Sequence, residues 1–355
     1  MIETLLFLMP FPLLIGLIGF LLGKGKITIK EYAIQEVVIM LIVFLSCVIG
    51  RQFALRDTEI WSGRVLNKQK VSVSCEHSYR VVVGHDSNGN PIYATRYYHS
   101  NDWDWEVETS DKGIIDIRRV DGRGSKEPPR WTQVYVGEPT ASAHNYVNYI
   151  KASPWTILKR HGQLQEFQKW GLIPVYPNEI YDYYRINRFL NAKTSILMEE
   201  AREWNKELMK INSELGRKKE VNIIIIAVNT KNSSYIHTLE EAWFGGKKND
   251  LVVILGVPSY PRIDWVRIMS WTKMEMLKVV LRDKVADIGD MTRRQDILDV
   301  IKKEIDEKFV RTPMADFAYL KATLRPSFRA MLILSFLSIG VSAGLSIFFW
   351  KNETV

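Results

Sequence analysis

The chain is 355 residues long, 46% hydrophobic and 25% charged, with a formal net charge of +8. That length suffices for one sizeable core or two small ones, and the composition is that of a globular protein. Lys and Arg are spread rather than massed, which makes the charge a weak argument for nucleic acid and reads as solvated faces and juxtamembrane positives, and two distant cysteines, Cys47 and Cys75, support no disulfide framework.

Residues 5–22 are almost wholly apolar and uncharged, the length of one bilayer crossing. No Lys or Arg precedes them and no small-residue cleavage site follows, which argues against a secretory signal. Pro10 and Pro12 are expected to kink the segment. Gly16, Gly19 and Gly23 form a small-residue face that lets another helix approach closely, a route to a homo-oligomer. Residues 24–36 read as a short charged link and residues 37–54 as a second crossing, ended by Arg51 and Arg56. A third spans residues 331–350, flanked by Arg325, Arg329 and Lys351, with Trp350 as an interfacial anchor. Charges stand only at the ends of these blocks, which argues against an ion or substrate path within one subunit. Three crossings put the region 55–328 on one side of the bilayer and the link on the other. Lys24, Lys26 and Lys30 assign the link to the cytoplasm; Arg51, Arg56, Lys321, Arg325 and Arg329 argue the reverse, but long translocated domains obey the charge rule poorly. The expectation is an inner (plasma) membrane protein with its large region outside the cytoplasm.

Residues 57–137 read as an antiparallel β domain, with strands at 59–66, 70–74, 79–83, 92–98, 103–109, 114–120 and 131–136 and a strong turn at 86–91. Trp103, Trp105, Val107 and Thr109 alternate with acidic residues, as a half-buried strand does. Cys75, His77, His85 and His99 are zinc-type ligands, but their spacing matches no standard finger, so they read as packing and solvated residues, and no metal or cofactor is expected.

Residues 138–190 read as a connecting segment. Its Tyr176, Tyr181, Tyr183, Tyr184, Arg185 and Arg188 are expected to pack one domain on another, with Tyr181, Tyr184 and Arg188 on one helical face. Residues 191–312 read as an α/β sandwich. Leu197, Ala201, Trp204, Leu208, Ile211 and Leu215 recur at helical spacing, with Gly216 as the expected stop. Two β-branched runs, 221–228 and 251–257, are too short to cross a bilayer and read as buried strands around a short helix at 235–244; if parallel, they imply a right-handed crossover. A third strand is expected at 263–269, then helices at 274–283 and about 290–309, the latter capped by Asp290 or Thr292. With 1–56 as a transmembrane hairpin and 313–355 as the last crossing and tail, the fold class is an α+β membrane protein.

The run GRKKEVNIIIIAV, the segment 235–246 ending in Ala-Trp and glycines, and KKNDLVVILG, with an Arg267-containing strand after it, resemble the TPM domain. That family is found in thylakoid-lumen phosphatase-like proteins, bacterial envelope proteins and MOLO-type receptor modulators. The resemblance covers about a third of the chain and implies an α/β sandwich outside the cytoplasm, next to a C-terminal membrane helix. Where the family pattern has aspartate, asparagine and glycine, this chain has Asn249-Asp250-Leu251. The blocks 127–131, 137–139 and 144–149 resemble uncharacterised membrane proteins of tailed phages and bacteria, a likeness that implies no activity.

Two functions follow as expectations. The first is a membrane-anchored interaction or scaffold protein, with the lipid bilayer and a protein as partners and no nucleic acid. The alternative is a TPM-like metal-dependent phosphohydrolase. Such chemistry needs positive charge on the phosphoryl oxygens and an acid or base beside them. The residues carried over for binding are Lys247, Asn249 and Asp250, with Glu240, Glu241, Asp287 and Asp290 as further acids.

Overall fold

The computed structural model describes residues 6–23, 25–85, 90–153, 163–243, 247–324 and 328–352. In chain order, helices α1 (Pro10–Leu22) and α2 (Ile29–Leu55) precede strands β1 (Arg56–His85), β2 (Pro91–Thr109) and β3 (Gly113–Ile117). Then come α3 (Pro129–Gln133), β4 (Pro139–Val147), α4 (Tyr149–Ala152), α5 (Leu164–Lys169), β5 (Phe189–Ala192) and α6 (Met198–Lys219). The remainder is β6 (Asn222–Val228), α7 (Tyr235–Ala242), β7 (Asp250–Gly256), β8 (Trp265–Ser270), α8 (Glu275–Ile288), α9 (Arg294–Lys308), a 3-10 helix (Met314–Thr323) and α10 (Phe328–Asn352). The chain divides into two units: Met1–Asp57 with Asn145–Arg160 and Pro313–Val355, and Thr58–His144 with His161–Thr312. The fold is α+β, with one antiparallel and one mixed sheet.

The first unit is a bundle of α1, α2 and α10. Leu8, Ile39 and Val43 form its buried centre, packed by Cys47, Met331, Leu334, Val341 and Leu345. Among the described helices, α2 and α10 are long and apolar enough to cross a membrane; the apolar helix at residues 6–22 is shorter. Thr28 and Glu31 form a capping box that starts α2 at Ile29, so most of the expected charged link is helical and Glu36 lies inside the helix. A side chain at Gly16 would meet Gln35 and Glu36, and one at Gly19 would meet Ser346, so the close approach these glycines permit is made within the chain. Beyond the helical bundle, the Asn148 amide donates to Leu55 O at 2.7 Å, and buried Asp57 takes Asn148 Nδ2 at 2.9 Å and Lys151 Nζ at 3.2 Å.

In the second unit, the antiparallel sheet has the order β3-β2-β1-β4. The separate strands expected between 59 and 83 are one continuous strand, as are those expected at 92–98 and 103–109. Asn67-Lys68-Gln69 carries no glycine or proline to force a turn, and register shifts at Val65/Asn67 and Val82/Gly84 absorb the irregularity. The expected turn at 86–91 lies outside the described residues except for Asn90 and Pro91. The strand expected at 131–136 is instead α3 and its exit, opened by Pro128-Pro129, because proline suits the first helical turn. Pro139–Val147, assigned to a connector, is a strand of this sheet. Val65, Trp105, Val107, Ile115, Ile117, Val134 and Tyr184 build its core.

The mixed sheet has the order β5-β6-β7-β8, parallel except for β8. Ile223, Ile225, Leu251 and Val253 face α6, α8 and α9, while Ile224, Ile226, Val252 and Ile254 face α5 and α7. Both faces are covered, which is why these strands read as unbroken apolar runs. Steps β5 to β6 and β6 to β7 move the same way across the sheet, yet α6 and α7 lie on opposite faces. The two crossovers therefore have opposite hands, and one departs from the right-handed rule. Helix α6 does not stop at Gly216: it runs to Lys219, and Glu220 (φ 53°) supplies the left-handed end. Gly216 is there for close approach, since a Cβ would stand 2.7 Å from the Ser62 Cβ. Asp290 takes the Thr292 amide at 2.7 Å rather than capping α9, which begins after Arg293 without a side-chain cap. The segment around Tyr181 is a tight turn, with a Tyr181–Arg185 bridge and positive φ at Asp182 and Tyr183, not a helix.

Candidate functional site

The residues singled out in the sequence meet at the amino ends of β6 and β7. Each parallel strand opens on a polar residue, Asn222 and Asp250, and both are buried. Asn222 Nδ2 donates to Asp250 Oδ1 at 2.8 Å, and the Tyr176 hydroxyl donates to the same oxygen at 3.2 Å. Arg188, just ahead of β5, is 1% exposed. Its Nε donates to Asn222 Oδ1 at 2.6 Å and its terminal nitrogen to Ser62 Oγ of β1, also at 2.6 Å. A chain of hydrogen bonds thus runs from Asp250 through Asn222 and Arg188 to the antiparallel sheet.

The turn before β7 makes further ties to β1. Asn249 Nδ2 donates to Ile60 O at 2.8 Å, and Lys248 Nζ stands 3.5 Å from Glu59 Oε2. Glu59 also pairs with Arg311, which pairs with Glu220, and it accepts the Trp61 indole N–H at 2.8 Å. Lys247 Nζ lies 5.4 Å from the Tyr176 ring centre. Tyr184, buried in the first sheet's core, donates to buried Glu138 at 3.1 Å, and Glu138 also holds Arg130 and Arg185. Tyr184 and Arg188 thus fix the sheets on one another, Arg188 by bonding across to β1.

Burial sets the charge states. Desolvation pushes the Asp250 carboxyl up to about 7, against the opposing pull of Asn222, Tyr176, Lys247 and Arg188. Desolvation likewise pulls Arg188 down to about 10, which leaves it charged at neutral pH. Lys248 is lowered by burial, with Glu59 working the other way. Asp250 is 4% and Asn249 1% exposed, so the turn faces protein rather than solvent. Ligands of open α/β sheets bind beyond the carboxyl ends of parallel strands; this cluster is at the other edge. Its chemistry is that of an anchor.

A pH dependence follows. An unfolded aspartate titrates near ~3.9, so between there and about 7 the folded chain holds a proton that the unfolded chain has lost. Asp250 therefore contributes stability that is full at the acid end and is lost as pH rises through about 7. The gap amounts to a few kcal/mol, on the order of 1.4 per pH unit. Thermal unfolding of the full chain in detergent should show Asp250→Asn gaining on the native protein as pH is raised from acid to neutral. Parallel curves for the two proteins would refute this. Asp250→Ala leaves Asn222 and Tyr176 without their acceptor, a larger loss of about 1–3 kcal/mol per buried group.

The other candidates do not join this cluster. Asp290 is engaged by Thr292, and Glu240 stands 3.6 Å from His237. His77 Nε2 bonds Asp102 Oδ2 at 2.8 Å, and Arg119 reaches Asp102, Asp104 and the Cys75 sulfur. The Ser100 hydroxyl, followed by His77 and Arg119, holds Asp102 below the usual carboxylate range. His99 pairs with Glu76 across the ladder, on the opposite face from Cys75 and His77. The His85 side chain lies outside the described residues. Among the described residues no three His, Cys, Asp or Glu side chains form a metal-holding group.

Sequence reading missed Glu59, Arg311 and Asn222. Only Asn222 left a signal, as the lone polar residue in an isoleucine run. Comparison with known proteins gave no matching family model, no matching curated protein and no matching solved structure.

Proposed function

We propose that the protein is an integral membrane protein of the inner (plasma) membrane. In this reading α1, α2 and α10 make three crossings, and the two-sheet unit, with a TPM-like α/β layer, is an extracytoplasmic interaction or scaffold module for a protein partner. The observation that carries it is the inverted burial of the bundle. Only 17% and 22% of the most apolar windows of α2 and α10 are buried, and Leu41, Phe44, Phe53, Ile333, Phe336 and Ile347 point outward. A core helix of a soluble protein would bury those side chains. The interaction reading draws support from β1 and β2, which pair as far as His85 and Pro91 and expose Tyr79, Val82, Val83, Ile92, Tyr93 and Tyr97. Exposed apolar groups gathered on one element mark interaction surfaces. The enclosed Asp250 favours scaffold over phosphohydrolase, because an acid sealed from solvent cannot reach a phosphoryl group.

The full chain should stay in the membrane pellet after alkaline carbonate extraction. A cysteine at Val175, which is 86% exposed, in a Cys47→Ser, Cys75→Ser background should react with an impermeant maleimide in intact cells. Release by carbonate removes the membrane reading; labelling only after lysis moves the large region to the cytoplasm. Metal-dependent phosphatase activity abolished by Asp250→Asn would restore the enzyme.

A further inference from the structure

The membrane bundle contains an acid that the sequence places at the edge of an expected link. Glu36 lies in the second turn of α2, and both of its carboxylate oxygens are buried with no hydrogen-bond partner among the described residues. The carboxylate fills the gap left by Gly16: a Cβ there would stand 2.3 Å from Glu36 Oε1. Among the described residues its neighbours offer no counter-charge. Helix α1 carries no titratable residue. From α2 itself, Tyr32 lies beside it, with its ring 5.8 Å from Phe20. The facing polar groups of α10 are Ser342 and Ser346, and they are taken by the adjacent Gln35, at 3.0 and 3.1 Å.

Two lengths set its depth. In α10, 21 residues separate Arg329 from Lys351, about 31 Å of helix, which matches a hydrocarbon core of about 30 Å. Ser342 and Ser346 lie nine and five residues before Lys351, about 13 and 7 Å inside that boundary. Gln35 bonds both, so Glu36 is at the same depth. In α2, only 14 uncharged residues separate Glu36 from Arg51, about 21 Å, too short for both charges to lie outside the core. Arg51 is exposed and can extend towards water; Glu36 is turned inward.

We propose that Glu36 is a proton-binding site within the membrane-spanning bundle. The inference rests on the membrane reading above. An unpaired carboxylate in hydrocarbon is costly, and taking up one proton at a carboxylate oxygen removes the charge without displacing a partner. The ligand is the proton, and the site is the Gly16 gap between α1 and α2.

The test uses the full chain in phosphatidylcholine vesicles and dicyclohexylcarbodiimide, a lipid-soluble reagent that adds to protonated carboxyls in apolar surroundings. Peptide mass mapping should find the adduct on Glu36 at neutral pH, reduced at least tenfold at strongly alkaline pH and absent in Glu36→Gln. A water-soluble carbodiimide should label it at least tenfold less. An unlabelled Glu36 in chain that still resists carbonate extraction overturns the proton site and leaves the membrane reading intact. Equal labelling by the water-soluble reagent overturns it too, as does protection by sodium or potassium at fixed pH, which would make the ligand a metal cation. Chain released by carbonate removes the reading on which the site depends.

Discussion

Arg188→Met should cost on the order of 1–3 kcal/mol for each of the two buried acceptors it leaves unpaired. Methionine keeps the volume but leaves Asn222 Oδ1 and Ser62 Oγ, both buried, without their donors. It also removes the positive charge that opposes the upward shift of Asp250. Arg188→Lys should recover only part of the loss, because an ammonium cannot serve two acceptors with the guanidinium's fixed geometry. Combining Arg188→Met with Asp250→Asn should cost less than the sum of the two single changes, since they belong to one chain of bonds. Thermal unfolding of the full chain in detergent reads all three, and strict additivity would show that the bonds do not act together.

Glu59→Gln should cost about 3 kcal/mol or more, because it leaves two cations at a buried position without their shared anion. The side chains of Glu59, Lys248 and Arg311 are 3%, 9% and 16% exposed, so water does little to screen the repulsion. The three residues come from β1, the turn before β7 and the segment after α9, distant in sequence and brought together at this carboxylate. Lys248, already lowered by burial, should then lose its proton more readily, and the penalty should shrink as pH rises. A second variant, Glu59→Gln with Arg311→Met, should recover much of the stability by removing the cation that repels Lys248. If the double variant unfolds no later than the single one, repulsion between the two cations is not the cause.

Local rules were enough for part of this protein. The stripe Trp204, Leu208, Ile211, Leu215 built α6, and the two β-branched runs became the central strands, because apolar periodicity reports burial directly. The apolar blocks at 37–54 and 331–350 were equally plain, since both lie in helices long and apolar enough to cross a membrane. Where two readings shared one local pattern, the sequence could not choose. Residues 56–85 read as several strands or as one, and only pairing with β2 along the whole length makes them one. Gly216 has the look of a helix end, and only the approach of Ser62 explains a glycine inside α6. Lys247 to Asp250 has the composition of an exposed turn, and only β1, brought over it from nearly two hundred residues away, turns it into a buried anchor. Glu36 was assigned to a link because charge marks helix ends, until Thr28 and Glu31 began the helix earlier and Gly16 opened a place for the acid inside it. Secondary structure followed from near neighbours in the chain. The burial of charge depended on which distant segments meet, and that is a property of the tertiary fold.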